Sequence, residues 1–333
     1  MFRLLLTVLL MVSMVHVSWA EDDFVQRPDV RLFMDEMVKK HGFTLAELQS
    51  VFSHVKLSQS ILDAISRPAE KLPWYKYRRI FLQPDRIQKG IEFWHTNITV
   101  LDQASRVYGI PVEIIVAIIG VETRYGNQVG KYRVVDSLAT LAFAYPDRAS
   151  FFRSELEQFL LMAREQRFDP VSVTGSYAGA MGIPQFIASS YRNYAVDFDN
   201  DGVIDIWTNK ADAIGSIANY FSKHGWMRDQ KIAVPAAVKG NLYTRILSDD
   251  FKPDTPAADL AAYGISHNSV IPPGTYVKLL NLETLHGYEY WLGFDNFYVI
   301  TRYNRSMLYA MAVYQLAREL RSGYYSGSAR NGG

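Results

Sequence analysis

The run I-P-V-E-I-I-V-A-I-I-G-V-E-T-R-Y-G, Ile110 to Gly126, constrains this chain more than any other stretch. It predicts a helix of about 14 residues, roughly 20 Å long, with Pro111 suited to its first position and Gly126 to a left-handed stop. At about 100° per residue, Glu122 lies close in angle to Ile115, Ile118 and Ile119. Glu113, nine residues earlier, falls about 180° away. The pattern therefore puts Glu113 in solvent and Glu122 among aliphatic neighbours that offer almost no water. A desolvated carboxylic acid keeps its proton to higher pH, which is what a general acid needs to protonate a departing sugar oxygen. The competing reading is a last-turn glutamate paired with Arg124 or Arg133, and spacing alone leaves both open.

Of the 333 residues 49% are hydrophobic, enough for sizeable cores in two or three domains. The formal charge is +1, and residues 1–20 contribute only Arg3 to it. A nearly neutral chain lacks the basic footprint of a nucleic-acid partner. The chain has no cysteine, which excludes disulfides, thiolate metal sites and a cysteine nucleophile. It has 21 tyrosines, more than most cores require, and surplus aromatics often line grooves that stack on sugars.

The first twenty residues read as a cleaved signal peptide: Arg3, the apolar run Leu4 to Val15, then Ser18-Trp19-Ala20. An uncleaved anchor is the alternative, and no later stretch is long enough to span a membrane. Residues 21–105 read as a helical domain, with Gly42 ending its first helix and a capping box at Thr44 to Glu47 opening the next. Ser58 caps a third, Lys71 to Leu82 reads as a loop or extended stretch, and one helix covers 86–108. Residues 106–230 form the central core and 231–295 a small antiparallel β insertion; over 231–300 Pro and Gly become frequent and β-forming runs stand at Thr275 to Leu282 and Phe297 to Thr301. Residues 296–322 return to the core through a helix at Arg305 to Leu320, and 323–333 read as a mobile tail. The fold class is mainly α, in the α+β sense.

Two further motifs carry chemistry. In S-Y-A-G-A-M-G-I-P-Q-F, Ser176 to Phe186, close-spaced glycines let the backbone approach a ligand or a neighbouring helix. Ser176 and Gln185 there offer donors and acceptors suited to sugar hydroxyl and N-acetyl groups. In D-F-D-N-D-G-V-I-D, Asp197, Asp199 and Asp201 stand at positions 1, 3 and 5 of an EF-hand loop with Gly202 at 6. Val203 would add a backbone carbonyl. Position 12 is Thr208 where a glutamate belongs, so Asp205 or Asp212 must close the sphere. The ion expected is calcium, in a structural role, because glycosyl transfer needs no metal. Neither a Ser-His-Asp order nor a phosphate loop is present, and Asp147 and Glu155 flank the Glu122 region without being set opposite it.

The combination of G-V-E-T-R-Y-G, S-Y-A-G-A-M-G-x-x-Q-F, the aspartate loop and I-T-R-Y-N (Ile300 to Asn304) resembles the membrane-bound lytic murein transglycosylase B family, in the same order and from about Asp29 to Leu320. The resemblance implies a lysozyme-like core with the calcium loop inside it, and no organic cofactor. It implies that Glu122 cleaves the bond between N-acetylmuramic acid and N-acetylglucosamine, first as acid and then as base on the muramyl C6 hydroxyl. Carried over by motif, Ser176, Gln185, Tyr220, Tyr303, Asn304 and Tyr309 line the cleft, and Asp197, Asp199, Asp201, Val203 and Asp212 surround the ion. Peptidoglycan glycan strands are the implied partner, with cell-wall synthesis proteins as further candidates, and the chain is expected to be a periplasmic monomer. Many relatives carry a lipid-attachment cysteine that this sequence lacks, and Ile183-Pro184 and Ala188 depart from a common form of the glutamine motif. A hydrolytic muramidase and a non-catalytic peptidoglycan-binding scaffold are the alternative functions.

Overall fold

The computed structural model describes residues 24–67 and 72–330, so the expected signal peptide lies outside the described residues. The chain divides into two compact units at Val55/Lys56. In the first, helix α1 (Pro28–His41) stops at Gly42, whose φ of 65° only glycine adopts freely. Helix α2 (Leu45–Phe52) opens on the expected capping box, Thr44 Oγ1 accepting from Glu47 N and Glu47 Oε2 from Thr44 N. Phe24 and Phe33 meet Phe52 edge-on and form the unit's small core.

The second unit begins with α3 (Gln59–Ile65), α4 (Trp74–Phe81), α5 (Pro84–Thr96), α6 (Ile98–Tyr108) and α7 (Val112–Thr123). After β1 (Tyr132–Arg133) come α8 (Val134–Ala144) and α9 (Ala149–Gln166), packed on each other, then β2 (Thr174–Gly175), α10 (Ala188–Tyr194) and α11 (Lys210–Lys223). Strands β3 (Ala233–Val238), β4 (Thr255–Pro256), β5 (Ile265–Ser266), β6 (Tyr276–Thr284) and β7 (Gly287–Gly293) follow, and α12 (Asp295–Tyr303) and α13 (Met307–Arg330) close the chain. Among the described residues the protein is thus mainly helical with two small antiparallel sheets. The larger has the order β4-β6-β7-β3-β5 around a core of Val234, Leu260, Ile265, Val277, Leu279 and Leu292. Glu289 of β7 accepts from the indole N–H of both Trp74 and Trp291, which ties that sheet to α4.

At the centre lies α7. Every residue from Ile114 to Ile119 is at most 1% exposed, and α13, α5, α6 and α11 all pack against it. The aliphatic run thus has no solvent face, because neighbours cover it on every side. It is shorter than expected, with Pro111 as N-cap and Arg124 as C-cap. Among the described residues no single helix is long and apolar enough to cross a membrane.

Five expectations are corrected. The boundary expected near 105 falls at 55, because α4, α5 and α6 pack into the second unit. The stretch from Trp74 to Phe81 is helical, because Trp74 and Tyr77 share one buried face while Lys76 and Arg79 stay in water. The single helix expected over 86–108 breaks at Asn97, whose Nδ2 and N both return to Phe93 O. Phe297 to Thr301 is helical within α12, and burial of Phe297, Val299 and Ile300 explains its apolar richness. The tail continues α13 to Arg330, with Gly323 against Ile91 and the Tyr324 ring stacked 4.3 Å from Trp94. Ser58 does stand at an N-cap, but its Oγ bonds Ser60 Oγ rather than the helix backbone.

Candidate active site

Helix α7 ends in three consecutive left-handed residues, Arg124, Tyr125 and Gly126, at φ 48°, 63° and 86°. This sharp turn leaves Glu122 on the last helical turn, half-buried at the edge of the core. The Glu122 carboxylate accepts from Tyr309 Oη at 2.5 Å. The Arg133 guanidinium forks onto Asp136 at 2.7 and 2.8 Å. Glu113 is half-buried rather than solvated, because Arg321 of α13 covers it with an ion pair at 3.1 Å. Glu122 in turn is less enclosed than its aliphatic neighbours suggest, because the helix stops beside it.

Two buried groups hold this turn. Thr123 Oγ1 accepts from Gly126 N and faces Ile119 O and Ile183 O, so it ties the end of α7 to the glycine-rich motif. Arg86 of α5, 5% exposed, donates to Gly120 O at 2.8 Å, satisfying a carbonyl at the helix end. Burial, and then the nearby Arg124 charge, pull the pKa of this guanidinium down. Tyr125 lies against Gly120 so closely that a Cβ there would sit 2.6 Å from its Oη. Gly120→Ala is therefore expected to cost about 2 kcal/mol through overpacking, seen as a Tm about 4–8 °C lower in calorimetry. An unchanged Tm would mean that Tyr125 moves freely.

Tyr309 and Tyr303, from the far end of the chain, stand near Glu122. Tyr309 is 2% exposed and its ring lies parallel to Tyr303, 6.5 Å away at an interplanar angle of 9°. Burial, and next the Glu122 charge, raise the pKa of both phenols, so each remains a neutral donor. Tyr303 Oη donates to Pro184 O at 2.6 Å, and Tyr220 Oη donates to Arg302 O at 2.5 Å. Gln185, itself at φ 54°, donates both Nε2 protons, to Val129 O and Gly182 O. Ser176 Oγ accepts from Ala178 N and Ala180 N and so braces its own loop. Asn304, half-buried, ends α12. Glu155 is buried and accepts from Ser189 N at the start of α10, while Asp147 stands exposed in the turn before α9.

The aspartate loop brings three carboxylates together. One carboxylate oxygen each from Asp197, Asp199 and Asp201 lies within 4.8 Å of the others. Asp197 also accepts from the backbone N of Asp201 and Gly202, which curls the loop around it. Three converging carboxylates suit a hard cation with oxygen ligands. Asp205 turns its carboxylate onto Trp207 N, Thr208 N and Thr208 Oγ1. Asp212, fully buried, accepts from Phe198 N and Asp205 N and clamps both ends of the loop to α11. Burial raises the Asp212 carboxyl pKa against those two donors, and the charges of Asp199 and Asp197 raise it further. Val203 is 58% exposed. Just beyond the loop, Ile206 O accepts from Ile183 N and lies so near Gly182 that a Cβ there would sit 2.6 Å from it, at a φ of 66°.

The model of the transglycosylase SLT domain family matches residues 26–318. The chain belongs to this family. It is 46% identical over 306 residues to the membrane-bound lytic murein transglycosylase B of Escherichia coli K12, covering 89% of this chain and 83% of that protein. Among solved structures it is similar to the catenated lytic transglycosylase SltB1 of Pseudomonas aeruginosa, with a TM-score of 0.86, 48% identity and coverage of 91% of this chain and 100% of that one. It is also similar to the Escherichia coli lytic transglycosylase Slt35 in complex with calcium, with a TM-score of 0.83, 46% identity and coverage of 91% and 96%.

In this SLT-domain chain the convergence of Glu122, Pro184, Tyr303 and Tyr309 was visible in sequence only through the family motifs. Thr123 was missed although it stands beside Glu122, because a hydroxyl facing the core looks like one facing a ligand. Arg86 carried no sequence signal. Tyr125 could have been flagged, since Gly90 and Gly120, both of which its ring requires, interrupt otherwise good helices.

Proposed function

We infer that this chain is a peptidoglycan lytic transglycosylase in which Glu122 moves one proton out and back. The carboxylic acid protonates the glycosidic oxygen between N-acetylmuramic acid and N-acetylglucosamine as the bond from C1 to that oxygen breaks. The muramyl C6 hydroxyl then attacks C1, the carboxylate takes its proton, and a 1,6-anhydro ring closes with no water consumed. One carboxyl is enough, because the sugar's own hydroxyl does the work that water and a second carboxylate do in an ordinary glycosidase. Tyr309 fixes the orientation of Glu122, and Tyr220, Tyr303, Ser176, Asn304 and the Oε1 of Gln185 bind the strand. The observation that carries this reading is the 2.5 Å contact that sets Glu122 against buried Tyr309, where the family's motifs meet. A calcium ion in the loop of Asp197, Asp199 and Asp201, joined by the Val203 carbonyl, holds the core rather than the substrate. Export to the periplasm as a soluble enzyme completes the reading.

Mass analysis of peptidoglycan digested by the purified chain tests it. Muramyl ends one water lighter than reducing ends are expected, and reducing ends alone would make the chain a hydrolase. Tyr309→Phe tests the orientation argument. Loss of a hydrogen bond to a charged group is expected to lower kcat by about tenfold to a hundredfold with KM little changed. A change confined to KM would make Tyr309 a binding group instead.

A further inference from the structure

We propose that the groove between α6 and α13 is a second glycan-binding site, which grips the strand away from Glu122 and rests on the transglycosylase reading above. Pro111 to Ile114, in the first turn of α7, form part of its floor, while Glu122 stands on the last turn, about 13 Å further along the axis. The cavity measures about 1210 Å³, more than a small-molecule pocket requires and enough for several sugar rings.

Three features of its wall specify the ligand. Trp94, Trp226, Tyr314, Tyr324 and Tyr325 line it, and Tyr325 is 59% exposed. Tyr324 stacks on Trp94, so the ring open to a ligand is Tyr325, whose exposed face suits the flat C–H side of a pyranose. Arg228, Arg318 and Arg321 stand among Asp102, Glu113 and Asp229, so the lining carries no net charge and favours neither a polyanion nor a polycation. Trp94 and Trp226 are only 2% and 9% exposed, and neither indole N–H has an acceptor among the described residues. Buried donors without partners are rare in folded proteins, and both indole rings line this groove. An N-acetylated glycan brings hydroxyl and acetamido oxygens, no net charge and apolar ring faces, and so matches all three features. Such a site would keep the enzyme on its strand between cleavage events.

The probe is a hexamer of β-1,4-linked N-acetylglucosamine, titrated calorimetrically into the full chain carrying Glu122→Gln. Two classes of site are expected. Tyr325→Ala, which removes a ring, and Ser322→Trp, which fills the groove, should each weaken one class about tenfold and leave the other intact. In the chain with Glu122 restored, both variants should keep full turnover on short soluble glycans and lose about tenfold in retention on insoluble peptidoglycan. A single class of site, or titrations unmoved by both variants, overturns the proposal. So does groove binding that requires an attached peptide. Failure of the transglycosylase reading would show separately, as absence of anhydro ends from the digests of the unmodified chain.

Discussion

Glu122→Gln is expected to lower turnover by about a thousandfold while strand binding survives, because in the proposed mechanism the same carboxyl acts as acid in the first step and base in the second. Glutamine keeps the shape, and its carbonyl still accepts from Tyr309, so the cleft is not expected to collapse. It loses only the exchangeable proton. Counting anhydro ends by mass spectrometry measures the first quantity, and co-sedimentation with insoluble peptidoglycan measures the second. Activity above a tenth of the original would remove Glu122 from the chemistry. Intact activity together with intact binding would point to a different catalytic carboxyl, and no activity in either form would leave only the scaffold reading.

The helices with unambiguous periodicity and caps were legible in the sequence: α1 from its Gly42 stop, α2 from its capping box, and α7 from its aliphatic run. What misled was apolar or aromatic density without a clear period. The segment from Trp74 to Phe81 reads as a loop because its aromatics and cations crowd together, yet a spacing of three puts Trp74 and Tyr77 on one buried face. Phe297 to Thr301 is rich in β-formers but lies against α13, and tertiary packing overrides the local preference. The same limit applied at the site. Local pattern pointed to Glu122 and to the three loop aspartates. It could not show that Tyr309, 187 residues later, donates to that glutamate. Long-range hydrogen bonds from buried tyrosines leave no periodicity to read. Asp212 shows the same thing differently: local pattern could not show that its buried carboxylate holds the backbone of the loop at Phe198 and Asp205.

Removing calcium with a chelator is expected to lower the Tm of the full chain by about 5 °C while activity well below the Tm falls much less. The carboxylates of Asp197, Asp199 and Asp201 repel one another in the folded loop, and an ion bound only by the native state relieves that repulsion. With free calcium a hundredfold above its Kd the stabilisation is about 2.7 kcal/mol, which corresponds to roughly 2 °C per kcal/mol in a unit of this size. Asp199→Asn should lower the Tm by a similar amount and remove its dependence on chelator. The loop communicates with the cleft through a short chain of contacts: Ile206 O accepts from Ile183 N, and Ile183 O faces Thr123 Oγ1 beside Glu122. None of these atoms belongs to the three converging carboxylates, so the chain persists when the ion leaves, provided Asp212 still clamps the loop. Asp212→Asn should therefore do what chelation does not, and lower kcat and Tm together, because its carboxylate holds both ends of the loop to α11. Identical melting with and without chelator would take the ion out of the fold, and loss of activity at unchanged Tm would move it into catalysis.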